Sequence, residues 1–267
     1  MELIKSSSNQ YIKEVKKLNK KKDRTKKGLY FIEGVRIVED AIKSKASVEY
    51  ILYSDRLFQT EEGKRLFNII SEKFRCYEIE HNLFKEVSDT ENSQGVLAVV
   101  RMKEHTLDDI RKNKSFIIFL DKLQDPGNMG TIIRSADALG VSGIIVSKGS
   151  VDIYNPKVVR STMGSIFHIP IVQIEDSIDT INKLKKDGVK ILATTLDEAN
   201  YCYNVDLKED ILIIIGNEGR GISEDLINIS NENVIIPMIG KSESLNVAMA
   251  SSIIMYEVLR QRKINKN

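Results

Sequence analysis

ILIIIGNEGRGISEDLINISNENVIIPMIGKSESLNVAMA, residues 211–250, holds two signals for buried strands, each followed by a polar loop. Ile211 to Ile215 is an unbroken apolar run, as a strand covered on both faces requires. Gly216-Asn217-Glu218-Gly219-Arg220-Gly221 follows at once. Glycines here permit positive φ and a close approach of backbone N–H groups to a ligand. Val234 to Pro237 repeats the pattern, and its loop, Gly240 to Ser244, opens onto a long helix from about Leu245. Two strand ends with glycine-rich loops predict one small-molecule site built largely from backbone groups.

Outward from this stretch, residues 115–262 alternate strand and helix. Strands are expected at Ser115–Leu120, Gly143–Val146, Ile169–Gln173 and Val189–Thr194, and a helix at Ser177–Lys186. Asp125-Pro126-Gly127 reads as a turn and Asn128 as the N-cap of a helix that Gly140 stops. This order predicts a mainly parallel, helix-covered sheet. The first hundred residues form a smaller α/β unit. Its expected helices lie at Asn9–Asn19, Gly34–Lys43, 61–72 and 81–88. Its expected strands lie at Leu29–Ile32, Val48–Tyr53, Arg75–Ile79 and Gly95–Arg101. Lys20 to Lys27 reads as a charged connection, and the polar stretch Lys103–Lys114 as the domain boundary.

A chain of 267 residues suits one large domain or two ordinary ones. No apolar run approaches the ~20 residues of a membrane helix, and the N-terminus is polar. A soluble, cytoplasmic protein is expected. Two distant cysteines, Cys76 and Cys202, and three histidines, His81, His105 and His168, show no metal-ligand spacing, so no metal is expected. The net charge of +2 hides an asymmetry: residues 1–30 hold ten Lys or Arg against three acids. Such a basic arm suits either nucleic acid or a merely solvated helix and loop.

The glycine loop is not a phosphate loop. There is no G-x-x-x-x-G-K-[ST], the order of Gly216, Gly219 and Gly221 is wrong for G-x-G-x-x-G, and the acidic helix start at Ser223-Glu224-Asp225 suits a pyrophosphate poorly. A nicotinamide oxidoreductase is therefore disfavoured. No Ser/His/Asp or Cys/His set is in evidence. Three polar groups remain: Asn128 with Arg134, Glu218 in the glycine loop, and Ser244-Leu245-Asn246 ahead of the last helix. Taken alone, Asn128 with Arg134 reads sooner as a surface ion pair, Glu218 as a turn carboxylate and Ser244 as a cap. The last helix, Leu245–Arg262, is apolar on more than one side, as a central or interface helix would be.

Together the three groups carry a resemblance. Residues 117–139 (IIFLDKLQDPGNMGTIIRSADAL), 211–223 (ILIIIGNEGRGIS) and 235–257 (IIPMIGKSESLNVAMASSIIMYE) resemble, in order, the three motifs of the SpoU (TrmH-like) branch of the SPOUT RNA methyltransferases. Arg160 to Pro170 resembles the segment these enzymes carry between motifs. Ala248 stands where many members have serine. QYIKEVKKL, LYFIEGVRIVEDAI and SQGVLAVV resemble the L30e-like substrate-binding domain often placed ahead of that catalytic domain.

The resemblance implies a deep-trefoil-knotted α/β methyltransferase domain at 113–267, preceded by an L30e-like RNA-binding domain at 1–104, working as a homodimer. It implies S-adenosylmethionine as cofactor, held by Thr194, Gly216, Asn217, Gly219, Ile236, Met238, Ser244, Leu245 and Asn246. It implies methyl transfer to a ribose 2′-hydroxyl in RNA, with 23S ribosomal RNA favoured over transfer RNA. A non-catalytic RNA-binding module of the same fold is the alternative from another class. Arg134 is expected to position the ribose and stabilise charge as its proton leaves. Asn128 and Glu218 are expected to orient Arg134, and Ser244 and Asn246 to shape the site.

Overall fold

The computed structural model describes residues 3–88, 90, 92–196 and 199–263; the outer ends of the two expected domains, at 1 and 267, lie outside them. The chain divides into two compact units. One comprises the chain up to Lys103 together with Tyr154–Phe167, the other Glu104–Ile153 and the chain from His168 onward.

The first unit is built on a four-stranded mixed sheet of order β1-β4-β2-β3, with β1 Leu29–Glu33, β2 Val48–Tyr53, β3 Cys76–Glu78 and β4 Val96–Arg101. Side chains alternate across it. Phe31, Tyr50, Leu52, Leu97 and Val99 point to one face, where helix α1 (Gln10–Leu18) adds Ile12, Val15 and Leu18, and α5 (His81–Val87) adds Leu83, Phe84 and Val87. Helices α3 (Val35–Lys43) and α4 (Glu61–Lys73) contribute further buried side chains. The segment 154–167, expected in the second domain, folds here. Its helix α8 (Pro156–Ser161) packs on β1, and the Tyr154 ring lies 4.6 Å from that of Tyr30.

The expected charged connection at 20–27 is instead a helix, α2 (Lys21–Lys27), stopped by Gly28 at φ +63°. It has no apolar stripe. Its one buried side chain is Arg24, 2% exposed, whose guanidinium donates to the carbonyls of Leu18 at 2.8 Å and Asn19 at 2.9 Å. These carbonyls at the end of α1 have no intrahelical partner of their own, so a cation there closes two open acceptors and ties the two helices together.

The second unit holds a seven-stranded, all-parallel sheet of order β7-β6-β5-β10-β8-β11-β9. The strands are β5 Phe116–Leu120, β6 Gly143–Ser147, β7 Ile171–Ile174, β8 Lys190–Thr194, β9 Asn200–Tyr201, β10 Ile211–Ile215 and β11 Glu232–Ile235. All five residues of β10 are buried, the expected signature of a central parallel strand. Leu212 and Ile214 join Ile117, Phe119, Ile191 and Ala193 on one face, under α9 (Ser177–Lys186) and α10 (Glu224–Ile229). Burying each of the leucine, isoleucine and phenylalanine side chains contributes ~1.5–3 kcal/mol. Short helix α6 (Leu107–Ile110) adds Ile110 to that core. Helices α7 (Pro126–Ala138) and α11 (Val247–Lys263) pack against each other.

Candidate active site

The site forms where the parallel strands end. Loops after β5, β8, β10 and β11 converge there, as expected for an open α/β sheet. The loop after β10 is a tight fold-back. Asn217 and Gly221 exchange both backbone hydrogen bonds, at 2.9 and 3.0 Å. A Cβ at Gly216 would lie 2.3 Å from the Gly221 carbonyl carbon, so only glycine lets the loop cross its own return, and Gly221 takes φ +69°. The N–H groups of Gly219 and Arg220 both donate to Asn217 Oδ1 at 3.0 Å. They turn onto the loop itself, not onto a ligand as the glycine pattern alone suggested.

Glu218 holds this loop to the one after β5. Its Oε1 accepts from the N–H of Asp125 at 2.9 Å and from Asn128 Nδ2 at 3.2 Å, and its Oε2 accepts from the N–H of Gln124 at 3.1 Å. Burial pushes the carboxyl upward, but these hydrogen bonds outweigh it and hold Glu218 below its ordinary value. Asn217 Nδ2 adds a bond to the Lys122 carbonyl at 2.8 Å. Deeper in, Asp121 is 2% exposed, and its Oδ2 accepts from both the N–H of Ser223, at 2.9 Å, and the Ser223 hydroxyl.

Two cap assignments differ from expectation. The N-cap of α7 is Asp125, which accepts from Asn128 N–H at 2.7 Å, with Pro126 opening the helix. Proline lacks the N–H that would go unpaired at that position, and its φ is already helical. Asn128 thus sits one turn in, and its side chain is free to face Glu218. At α11 the cap is Asn246, not Ser244: Asn246 Oδ1 accepts from the N–H groups of Ala248 at 3.0 Å and Met249 at 3.3 Å.

These loops enclose a cavity of ≈ 970 Å³. Thr194, Gly216, Asn217, Gly219, Ile236, Met238, Ser244, Leu245 and Asn246 all line it, as do Asn128 and Glu218. Ile215, Ile222, Val234, Ile235 and Ile254 give it an apolar wall. Thr194 Oγ donates to the Ile214 carbonyl at 2.9 Å, leaving its lone pairs available. Arg134 does not line the cavity. It is exposed on α7, and among the described residues it bonds to neither Asn128 nor Glu218, which bond to each other. Sequence reasoning passed over Asp121, Asp125 and the cavity-lining Arg220. The adjacency of Asp125 to Pro126 was the available sign of a cap.

The cavity has the size and the mixed lining of a cofactor site. Residues 115–256 match the SpoU rRNA methylase family, and residues 9–98 match the MRM3-like substrate binding domain. The chain belongs to the SpoU rRNA methylase family. It is 37% identical over 258 residues to the Bacillus subtilis 23S rRNA (guanosine(2553)-2′-O)-methyltransferase RlmP, covering 97% of this chain and 99% of that one. It is 33% identical to a Streptomyces viridochromogenes 23S rRNA (uridine(2479)-2′-O)-methyltransferase, covering 92% and 87%. Among solved structures it is similar to the SpoU methyltransferase AviRb of that organism in complex with AdoMet (TM-score 0.85, 29% identity, 95% and 98% coverage). An AdoMet-bound rRNA methyltransferase from Sinorhizobium meliloti gives 0.86 at 29% identity, covering 97% of each chain. The likeness of this SpoU member to such proteins extends along nearly its whole length.

Proposed function

We propose that this chain transfers a methyl group from S-adenosylmethionine to a ribose 2′-hydroxyl of 23S ribosomal RNA. The observation that carries the proposal is the cavity at the ends of β8, β10 and β11, lined by all nine residues expected to hold the cofactor. Enzyme class and cofactor follow from the family and its AdoMet-bound members. The lining fits that group. A neutral ribose and adenine need directional hydrogen bonds and an apolar slot, whereas the acidic start of α10, at Glu224 and Asp225, opposes a phosphate.

When bound, S-adenosylmethionine supplies an electrophilic methyl on a sulfonium sulfur. The protein must admit the ribose, exclude competing water and stabilise the alkoxide that develops as the proton leaves. Arg134 is the residue we assign to binding the ribose and countering that charge; a guanidinium keeps its proton throughout and is a poor proton acceptor. Asn128, Glu218 and Asn246 hold the loops in shape, and Ser244 and Asn246 border the cavity mouth.

A homodimer completes this reading. Met249, Ile253 and Tyr256 are 59%, 42% and 54% exposed and recur one turn apart on α11. Ser252, on the flank of that stripe, bonds to Ser135 at 2.9 Å, the residue after Arg134. We place a second copy on this stripe, next to α7, the helix that carries Arg134. The deep trefoil knot and a cytoplasmic location belong to the same reading. So do the domain limits: residues up to about 104 bind RNA and the rest, from about 113, carry the catalytic domain. On the first unit, Lys13, Lys17, Lys20, Lys21, Lys22 and Lys26 have no ion-pair partner among the described residues, which supports an RNA-facing arm. Among the described residues, no helix is long and apolar enough to cross a membrane.

The test uses methyl-labelled S-adenosylmethionine and RNA from cells lacking the gene. Alkali-resistant, 2′-O-methylated dinucleotides from 23S ribosomal RNA are expected, and Arg134→Ala abolishes them. Label on a base, or on transfer RNA alone, overturns the proposal.

A further inference from the structure

Tyr201 and Tyr203 stand side by side on the second unit, their rings stacked with centroids 5.4 Å apart and planes 27° from parallel. They are 46% and 50% exposed. Large apolar side chains on a surface usually stand singly, and a stacked pair this open is unusual for a purely structural role.

The backbone beneath them is fixed. Cys202, between them, turns inward at 5% exposure, and Val205 and Leu207 follow at 3% and 1%. Gln261 of α11 clamps this return: its Oε1 accepts from Leu207 N–H at 3.1 Å and its Nε2 donates to the Val205 carbonyl at 3.1 Å. Arg262 Nε donates to the Leu207 carbonyl at 3.0 Å. The pair is thus presented by a short segment locked from below, and little ordering remains to be done when a flat ligand lands on it.

Its position is specific. Tyr201 pairs with Ile235 in the β9–β11 register, and Val234, Ile235 and Ile236 line the cavity. The platform therefore sits one strand from the proposed cofactor site. Its chain neighbours are Asn200 and Asn204, not aliphatic residues. A flat π-system suits such a surface better than an aliphatic side chain of a protein partner, and every nucleobase offers two π faces.

We propose that Tyr201 and Tyr203 form a stacking platform for an unpaired base of the substrate RNA, holding the strand while a nearby ribose is brought to the cavity. The two tyrosines are positioning residues, and the proposal rests on the RNA methyltransferase reading above.

The chain has no tryptophan, so Tyr203→Trp installs a single fluorescent reporter. Its emission is titrated with protein-free 23S ribosomal RNA from cells lacking the gene, at saturating S-adenosylmethionine. Saturable quenching is expected. Tyr201→Ala and Tyr203→Ala raise KM for RNA by roughly 5- to 150-fold, the range of base–aromatic stacking, with kcat and cofactor Kd little changed. Phenylalanine at both positions restores KM, because the ring face carries the contact. An absent quench, an unchanged KM in the alanine variants, or a changed sedimentation coefficient in their place overturns the platform; the last assigns this surface to a second copy. Quenching without methyl transfer to any RNA leaves the platform standing and removes the enzymatic reading. Methyl transfer without quenching does the reverse.

Discussion

Asn246 Nδ2 donates to Asn128 Oδ1 at 3.1 Å, across 118 positions of sequence. The direction of that bond is fixed from the glycine loop. Glu218 can only accept when ionised, so Asn128 must turn its NH₂ toward it and its oxygen toward Asn246. Asn246 then turns its own oxygen onto the N–H groups that open α11. One carboxylate thereby sets the orientation of two amides and the start of a helix.

This relay predicts coupled mutational effects. Asn246→Ala loses a cap worth ~1 kcal/mol in addition to the bond to Asn128. A double-mutant cycle with Asn128→Ala, read by urea unfolding, shows coupling of about 0.5–1.5 kcal/mol. Strict additivity means that the bond contributes nothing. Asn128→Asp is worse for cofactor affinity than Asn128→Ala, because it sets a second carboxylate against Glu218. Titration calorimetry with S-adenosylmethionine ranks the two.

Asp121 and Ser223 give an asymmetric pair. Asp121→Ala leaves the Ser223 N–H without its acceptor in a largely buried place, at a cost of about 1–3 kcal/mol. Ser223→Ala removes only the hydroxyl donor and costs about 1 kcal/mol or less, since Asp121 keeps the backbone bond. Thermal unfolding of the two variants tests the order; equal losses place the stabilisation in the hydroxyl instead.

Glu218 makes the site sensitive to acid. Its folded-state pKa lies below the ordinary value of 4.5. A depressed carboxylate contributes stability that is fully present above the unfolded value and is lost as pH falls through the folded one. The stability that Glu218 contributes is therefore flat through neutral pH and weakens only below about 4.5. In Glu218→Gln stability is lower throughout, because an NH₂ group meets an N–H donor, and this acid limb disappears. Urea unfolding across that range checks it. An acid limb unchanged in the variant assigns the effect to another group.

How much of this was legible follows from where the signal lay. β10 shows in its five consecutive isoleucine and leucine residues, because burial on both faces leaves nothing polar to alternate. The cavity lining was reachable through motif resemblance, since loops at strand ends keep their order along the chain. Helix α2 was hidden because its only buried residue is charged; Arg24 replaces an apolar stripe with hydrogen bonds to carbonyls, which periodicity does not register. The relay through Glu218, Asn128 and Asn246 was hidden for another reason. Its partners lie 90 and 118 positions apart, and pairing at that range is a property of the packed sheet, not of local spacing. Residues 154–167 look continuous with the catalytic motifs but pack on β1 through Tyr154 and α8.

Arg134 is the assigned residue that lies outside the cofactor cavity. It is exposed on α7, and the residue after it, Ser135, bonds to Ser252 of α11, the helix that carries Met249, Ile253 and Tyr256. If it acts on the ribose and not on the cofactor, Arg134→Lys keeps S-adenosylmethionine affinity within about twofold. Turnover falls by roughly two orders of magnitude, because lysine cannot reproduce the planar, two-pronged contact of a guanidinium. If it acts across a dimer, Tyr256→Asp and Ile253→Asp convert the protein to monomers with the same loss of turnover. Mixing Arg134→Ala with a cofactor-site variant such as Gly216→Val then restores part of the activity through heterodimers that hold one complete site. Sedimentation velocity and labelled methyl transfer on the mixture decide the point: monomeric variants with full turnover, or no recovery on mixing, place Arg134 in the site of its own chain.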